Sequence, residues 1–181
     1  MELSERYAVA FKELKPGGYD YAFSVDGALF RNYENAEIKE ASCSVQVHLE
    51  RVATQLTFDV RITGEVVVPC DRCLEDCRVP VDFEGQLLVR FSDLPADEYD
   101  GEVLWLSPAE KEVDLTQYLY ESIVLSLPYQ RVHPEGGCDP EMLKRFRIVS
   151  DEEFAAIEEQ AEHPTERLGE EQQAALRKLS R

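Results

Sequence analysis

The chain has 181 residues, of which 37 are acidic and 19 basic, so its net charge is −18. This length is enough for one domain with a hydrophobic core, or for a domain with a tail. No stretch approaches the ~18 consecutive apolar residues of a membrane span, and the first residues lack the basic-then-apolar order of a signal peptide. Five cysteines, an odd number with one tight cluster, favour reduced thiols or metal ligands over disulfides. We therefore expect a cytoplasmic protein.

The acidic charge is uneven along the chain. Residues 1–90 carry a net charge of −6 and residues 91–181 a net charge of −12. Between Asp93 and Glu121, nine acidic residues are opposed only by Lys111. Such a surface repels phosphate backbones and attracts basic partners. The alternative interpretation is that the acidity only keeps the protein soluble.

Alternating hydrophobic residues predict an antiparallel sheet in the first half of the chain. The alternation runs through Tyr19–Val25, Cys43–Leu49 and Leu56–Ile62, which indicates strands with one buried face and one wet face. The short link between the second and third of these runs predicts a hairpin. The pattern resumes at Leu87–Phe91. Cys43 lies within the alternation and is predicted to be a core residue.

Capping residues and helical spacing predict helices in the second half. Asp114 can cap a helix that Pro128 ends. Asp139 and Pro140 supply the cap and the first-turn proline of a second helix. Ser150 can open a third helix.

These patterns predict an α+β fold in which an antiparallel first half packs against helices of the second half. The predicted domain is residues 1–150, with a β-rich part at 7–91, an acidic linker at 92–113 and a helical part at 114–150. Residues 151–181 are predicted to form an acidic helical tail.

A Cys-x-x-Cys pair, Cys70 and Cys73, lies between two strand-like runs. A tight turn there aims two thiols at one point, which makes half of a tetrahedral metal site or a redox pair. His133 and Cys138 lie in a later loop, and the two glycines between them let that loop fold back. The spacing predicts one structural zinc ion bound by Cys70, Cys73, His133 and Cys138.

The cysteine pattern leaves alternatives open. Cys77 lies four residues beyond Cys73 and is an alternative ligand, a redox partner or a bystander. A thiol redox protein using Cys70 and Cys73 is the weaker alternative, because the pair opens no helix in a βαβ pattern. His133 can also be an ordinary surface histidine near a helix start.

The rest of the sequence shows no catalytic pattern. It has no glycine-rich phosphate loop, nucleophile elbow or zinc-protease helix. Lys144, Arg145 and Arg147 form the only dense basic cluster, which is a weak signal for nucleic acid on an acidic chain. We therefore expect a binding protein and not an enzyme.

The order of the motifs resembles that of the YceD-like family, the large ribosomal RNA subunit accumulation proteins. The resemblance rests on Val68-Pro69-Cys70-Asp71-Arg72-Cys73-Leu74 after a β-rich half, on the acidic middle, and on residues 114–115, 123–128, 132–138 and 174–179. By position, Cys70, Cys73 and Cys138 match family cysteines and His133 matches a family histidine. Many members carry a second Cys-x-x-Cys and a Cys-Gly pair in the later loop, where this chain has one cysteine, and this chain also lacks the Asp-Pro-Arg that commonly precedes the closing helix.

The resemblance implies a bacterial cytoplasmic protein without enzymatic activity that is needed for normal levels of large-subunit ribosomal RNA. Its partner would be a large-subunit ribosomal protein or a precursor ribonucleoprotein. The net charge of −18 disfavours direct binding to naked RNA, and no binding to DNA or to a membrane is expected. Two other functions stay open: a zinc-stapled module for an unrelated protein partner, and a Cys-x-x-Cys thiol redox protein.

Overall fold

The computed structural model describes residues 6–31, 33, 37–92, 103–144 and 154–158. The chain divides into two compact units, Met1–Asp139 and Pro140–Arg181. Among the helices in the described ranges, none is both long enough and apolar enough to cross a membrane.

A mostly antiparallel sheet forms the centre of the first unit. In spatial order its five strands are β2 (Gly17–Asp26), β3 (Glu40–Arg51), β4 (Gln55–Pro69), β5 (Asp76–Phe91) and β6 (Val103–Leu106). The first four pair antiparallel, and β6 pairs parallel with β5. The predicted hairpin is confirmed as β3–β4, with Arg51 opposite Leu56.

A second, smaller sheet pairs β1 (Ala8–Ala10) antiparallel with β7 (Glu112–Asp114). Strands β6 and β7 both lie within residues 92–113 or at their edge, where the sequence predicted an acidic linker. Each is four residues or shorter, so neither is long enough to show the alternation by which the longer strands were predicted.

Helical segments are few in the described residues. They are α1 (Ala28–Arg31), α2 (Thr116–Ser126) and α3 (Pro140–Leu143), together with residues 154–158. The Asp114 carboxylate accepts a hydrogen bond of 2.8 Å from the Thr116 N–H at the start of α2, so it satisfies a free donor of the first turn. Gln117, three residues after Asp114, does not complete a reciprocal cap among the described hydrogen bonds; its side-chain amide donates to Glu121 at 2.8 Å.

The buried face of the main sheet forms the core. Val45, Leu49, Phe58 and Ile62 are fully buried, and Cys43 is 4% exposed, as predicted for a core residue. The residues between them on β3 and β4 point to the opposite, solvent-exposed face. This period of two is the reason that the sequence pattern located these strands.

Part of the domain prediction falls outside the described residues. The boundary predicted between residues 150 and 151 lies in the undescribed range 145–153, as does Ser150, the predicted start of the third helix. Within the predicted tail, residues 154–158 are helical, and Phe154 and Ile157 are exposed.

Candidate metal centre

Cys70 and Cys73 lie in the turn between β4 and β5, which we call the cysteine turn (residues 70–75). The Cys70 N–H donates to the Glu75 carbonyl at 2.8 Å, and the Leu74 N–H donates to the Cys70 carbonyl at 2.9 Å. These bonds close the turn tightly. Leu74 completes it with a φ of 64°, in the left-handed region.

The histidine loop (residues 131–138) is held against this turn by Asp71 and Arg131. The Asp71 N–H donates to the Arg131 carbonyl at 2.9 Å, and the Arg131 N–H donates to the Asp71 carboxylate at 2.7 Å. The Arg131 guanidinium also pairs with Asp71 and with Glu37. Because of these contacts, residues 60 positions apart in the chain meet at one place.

Four ligand atoms converge between the turn and the loop. The Sγ atoms of Cys70, Cys73 and Cys138 and a ring nitrogen of His133 all lie within 4.8 Å of one another. The Cys70 and Cys138 Sγ atoms are 3.8 Å apart, and the Cys73 Sγ lies 3.5 Å from His133 Nδ1. Zinc bonds of ~2.3 Å to sulfur and ~2.0–2.1 Å to nitrogen give tetrahedron edges of about 3.8 and 3.5 Å. The Cys70–Cys138 and Cys73–His133 distances therefore fit two edges of a tetrahedral Cys₃His zinc site.

Hydrogen bonding fixes the tautomer of His133. Its Nε2 lies 3.0 Å from the Asp76 carbonyl oxygen, which can only accept, so Nε2 carries the proton. In the neutral ring, Nδ1 then holds the lone pair that faces Cys73. Metal-bound histidines commonly donate their second ring N–H to a carbonyl or carboxylate in this way.

The electrostatics of the cluster favour a cation. Burial raises the pKa of the Cys70 thiol, but hydrogen bonds from the backbone N–H groups of Cys73, Arg72 and His133 outweigh burial and lower the pKa to about 6. Burial, together with hydrogen bonds to Cys70 and Cys73, raises the pKa of Cys138 to about 11. Cys70 and Cys138 therefore do not ionise together without a positive charge between them. A metal ion supplies that charge.

Comparison with known proteins places this site in a family context. A family model described as "Large ribosomal RNA subunit accumulation protein YceD" matches residues 58–180. The chain belongs to the YceD family. The resemblance that the sequence motifs predicted is thus confirmed, and all four candidate ligands lie within the matched range.

A relative of this YceD-family chain is "Uncharacterized protein YlbN" of Bacillus subtilis (strain 168). The two are 28% identical over 123 residues, which cover 66% of this chain and 70% of the relative. No solved structure matches the chain.

Cys77, the alternative ligand, stands apart from the four-residue group. It lies on β5 opposite Val68, is 1% exposed, and has its Sγ 3.8 Å from the Arg78 carbonyl. Burial raises its pKa, and so do the nearby Cys70 and Cys73. These surroundings suit a core thiol better than a ligand.

Some residues around the YceD-family site could not be found from the sequence. Arg131 joins the turn to the loop, yet a lone arginine in a loop carries no sequence signal for that role. The Asp76 carbonyl that orients His133 is a backbone group, for which side-chain patterns give no clue. In the basic cluster, Lys144 pairs with Glu141, and Arg145 and Arg147 lie outside the described residues.

Proposed function

We propose that this YceD-family protein is a non-enzymatic accessory factor in assembly of the large ribosomal subunit. It would act in the bacterial cytoplasm and support accumulation of large-subunit ribosomal RNA. The family match over residues 58–180 carries the proposal. Its partner would be a large-subunit ribosomal protein or a precursor ribonucleoprotein.

One structural zinc ion, held by Cys70, Cys73, His133 and Cys138, is part of the proposal. Four protein ligands fill a tetrahedral site and leave no open position for substrate or water, which is typical of structural and not catalytic zinc. The ion would join the cysteine turn to the histidine loop and add its binding free energy to folding. The finer fold prediction, a sheet packed against second-half helices, is supported at α2 by a contact between the rings of Tyr118 and Phe83, whose centroids lie 6.4 Å apart.

The charge of the chain indicates the kind of partner. At a net charge of −18, long-range forces oppose the approach of naked RNA and favour the approach of a basic protein. Ribosomal proteins that bind RNA phosphates are basic for the same reason. A protein partner, or a precursor particle whose RNA is already covered by protein, therefore fits best.

The lowered pKa of Cys70, about 6, is the observation that favours the redox alternative. However, redox-active cysteines are partly exposed, whereas Cys70 is 0% and Cys73 1% exposed. A low pKa equally suits a metal-bound thiolate. Burial therefore favours the metal site over a thiol redox protein.

Sedimentation tests the proposed function. A tagged chain expressed in its own host should co-sediment with precursors of the large subunit on a sucrose gradient, and deletion of its gene should lower large-subunit relative to small-subunit ribosomal RNA. Free small-subunit particles serve as the control fraction. If the chain stays at the top of the gradient and the RNA ratio is unchanged by deletion, the proposal is wrong.

A further inference from the structure

The outward face of the main sheet carries a groove of about 850 Å³, on the side opposite the hydrophobic core. It crosses β2, β3, β4 and β5. Its lining includes the exposed carboxylates of Asp20, Asp59 and Glu84 and the exposed cationic or titratable side chains of Arg61 and His48. The groove is separate from the metal centre, which lies at the turn between β4 and β5.

Strand pairing places these side chains in two rows. The first row is Asp20, His48, Asp59 and Gln86, and the second is Ala22, Gln46, Arg61 and Glu84. Rows two residues apart on one face lie roughly 6.7 Å apart along the strands. That distance equals the spacing of alternate side chains in an extended peptide, so one such peptide can contact both rows.

The carboxylates of the first row are oriented by their neighbours. Asp20 Oδ1 lies 2.6 Å from His48 Nδ1, and Asp59 Oδ1 accepts a 2.7 Å hydrogen bond from Gln86 Nε2. Each of these bonds uses one oxygen of its carboxylate. Among the described contacts, the second oxygen of each carboxylate is left for a donor from outside the chain.

The second row already accommodates a guanidinium. Arg61 forms an ion pair with Glu84, and its Nη2 lies 3.8 Å from Oδ1 of Asp82, the next outward-facing acidic residue of β5. The groove therefore has the spacing and charge to hold a cationic side chain. A cation from a partner would compete with Arg61 for Glu84.

We propose that this groove binds an extended lysine- or arginine-rich segment of a protein partner. The inference rests on the proposed function, in which the partner is a basic protein of the large subunit, and it identifies the surface that contacts it. Charge complementarity selects this occupant: three carboxylates line the groove against one arginine and one histidine. RNA phosphates would meet like charges there.

The test uses the full-length chain and a fluorescein-labelled peptide of five Lys-Thr repeats, with binding followed by fluorescence anisotropy at several salt concentrations. Changing Asp20→Asn together with Asp59→Asn should weaken binding by about fivefold or more. The control Glu110→Gln with Glu112→Gln removes the same charge from exposed positions outside the groove and should weaken binding by less than about twofold.

A gain-of-affinity variant sharpens the test. Arg61→Gln should tighten peptide binding several-fold because it frees Glu84, whereas the matched change Arg90→Gln, at an exposed position outside the groove, should have little effect. Equal effects of the groove and control variants would show that peptide affinity depends only on the net charge of the chain, and this would overturn the proposal. Absence of peptide binding, or stronger binding of a labelled oligouridylate RNA through the same residues, would also overturn it.

Sedimentation of the same variants separates this inference from the proposed function. One outcome is that the wild type co-sediments with subunit precursors while the groove variants bind the peptide as tightly as wild type. This outcome would support the proposed function and reject the groove as the binding site. Groove-dependent peptide binding, with no co-sedimentation and no change in the RNA ratio on gene deletion, would support the groove and reject the function.

Discussion

Leu74 has a backbone conformation that its side chain disfavours. Its φ of 64° lies in the left-handed region, and the side chain is 64% exposed, so little packing compensates for the strain. Left-handed backbone costs a residue with a Cβ about 1–2 kcal/mol, and glycine avoids most of this.

We therefore expect Leu74→Gly to raise the free energy of unfolding by about 0.5–1 kcal/mol, measured by urea denaturation of the full-length chain. Leu125→Gly is the matched control. Leu125 is 82% exposed within α2, and glycine there should lower stability by about 1 kcal/mol. Similar losses in both variants would show that the Leu74 conformation carries no strain.

Metal content tests the ligand assignment at single residues. We expect protein purified without chelator to contain close to one zinc per chain by elemental analysis. Cys138→Ser should lose most of this zinc because it removes one of four ligands. Cys77→Ser should keep the zinc and nearly normal cellular function, since the Cys77 Sγ stands outside the ligand group. Zinc-free wild type with all thiols titratable would contradict the site, and zinc loss on changing Cys77 would reassign a ligand.

At the scale of the elements, Gly64 is required for the pairing of β3 with β4. Its φ is 156°, and a Cβ at this position would lie 2.2 Å from the Ser42 carbonyl oxygen and 2.6 Å from the Cys43 Cα. These are backbone atoms of the paired strand, so they cannot move aside without disturbing the sheet.

Gly64→Ala should therefore lower the free energy of unfolding by about 2 kcal/mol or more, measured in urea. The neighbouring Thr63→Ala, on the exposed face of the same strand, should change it by less than about 0.5 kcal/mol. If Gly64→Ala proves as mild as Thr63→Ala, the close approach of β3 and β4 at this point is wrong.

The stability of the junction between β2 and α1 depends on pH through the carboxylate of Asp26. A hydrogen bond from Arg6, and then one from the Ala28 N–H, lower the pKa of Asp26 below its usual 3.8. Its ionised form is therefore favoured by folding. The stabilisation is complete above the unfolded pKa and is lost as the pH falls through the folded pKa.

We expect Asp26→Asn to be less stable than wild type at pH 7. The difference should begin to shrink as the pH falls below about 3.8 and vanish only below the lower pKa of the folded state, measured by denaturation across a pH series. Asp82→Asn, which changes an exposed carboxylate of β5, is the comparison. A stability difference between wild type and Asp26→Asn that does not change from pH 7 to pH 3 would contradict this account.

The elements that could be predicted from the sequence are those with long local patterns. Strands β2 to β5 have ten or more residues each, so their alternation is visible, and the cysteine turn follows from Cys-x-x-Cys. The pairings β5–β6 and β1–β7 could not be predicted. Each pairing includes a strand of only three or four residues, β6 in the first and both strands in the second, and nothing local specifies such partners. The hydrogen-bond partner of His48, Asp20 on the neighbouring strand, could not be predicted for the same reason.

For the whole molecule, spacing and family motifs were enough to select the four candidate ligands, but not to show how they meet. Their convergence depends on Arg131 and Asp71, which hold the histidine loop to the cysteine turn. The groove could not be predicted either, because its polar residues occupy the alternating positions that any sheet exposes to solvent. It arises only when four strands place that face side by side.

Salt dependence should distinguish the two kinds of partner for the intact protein. We expect the full-length chain to bind basic large-subunit ribosomal proteins with affinity that falls as salt rises, and to bind bare large-subunit RNA weakly at physiological salt. A titration of each partner by fluorescence anisotropy would measure this. Tight binding to bare RNA, lost when Lys144, Arg145 and Arg147 are neutralised together, would favour direct RNA recognition instead.

The split of the ligands between two distant loops also has a consequence for biosynthesis. Cys73 precedes His133 by 60 residues, so at roughly 5–20 residues per second a ribosome needs about 3–12 s to pass from one to the other. During that interval the nascent chain presents two thiols without their partners. Capture of the proposed zinc ion would then be a late event that follows synthesis of α2, and the half-formed site would be the stage at which oxidation or a competing metal diverts the chain.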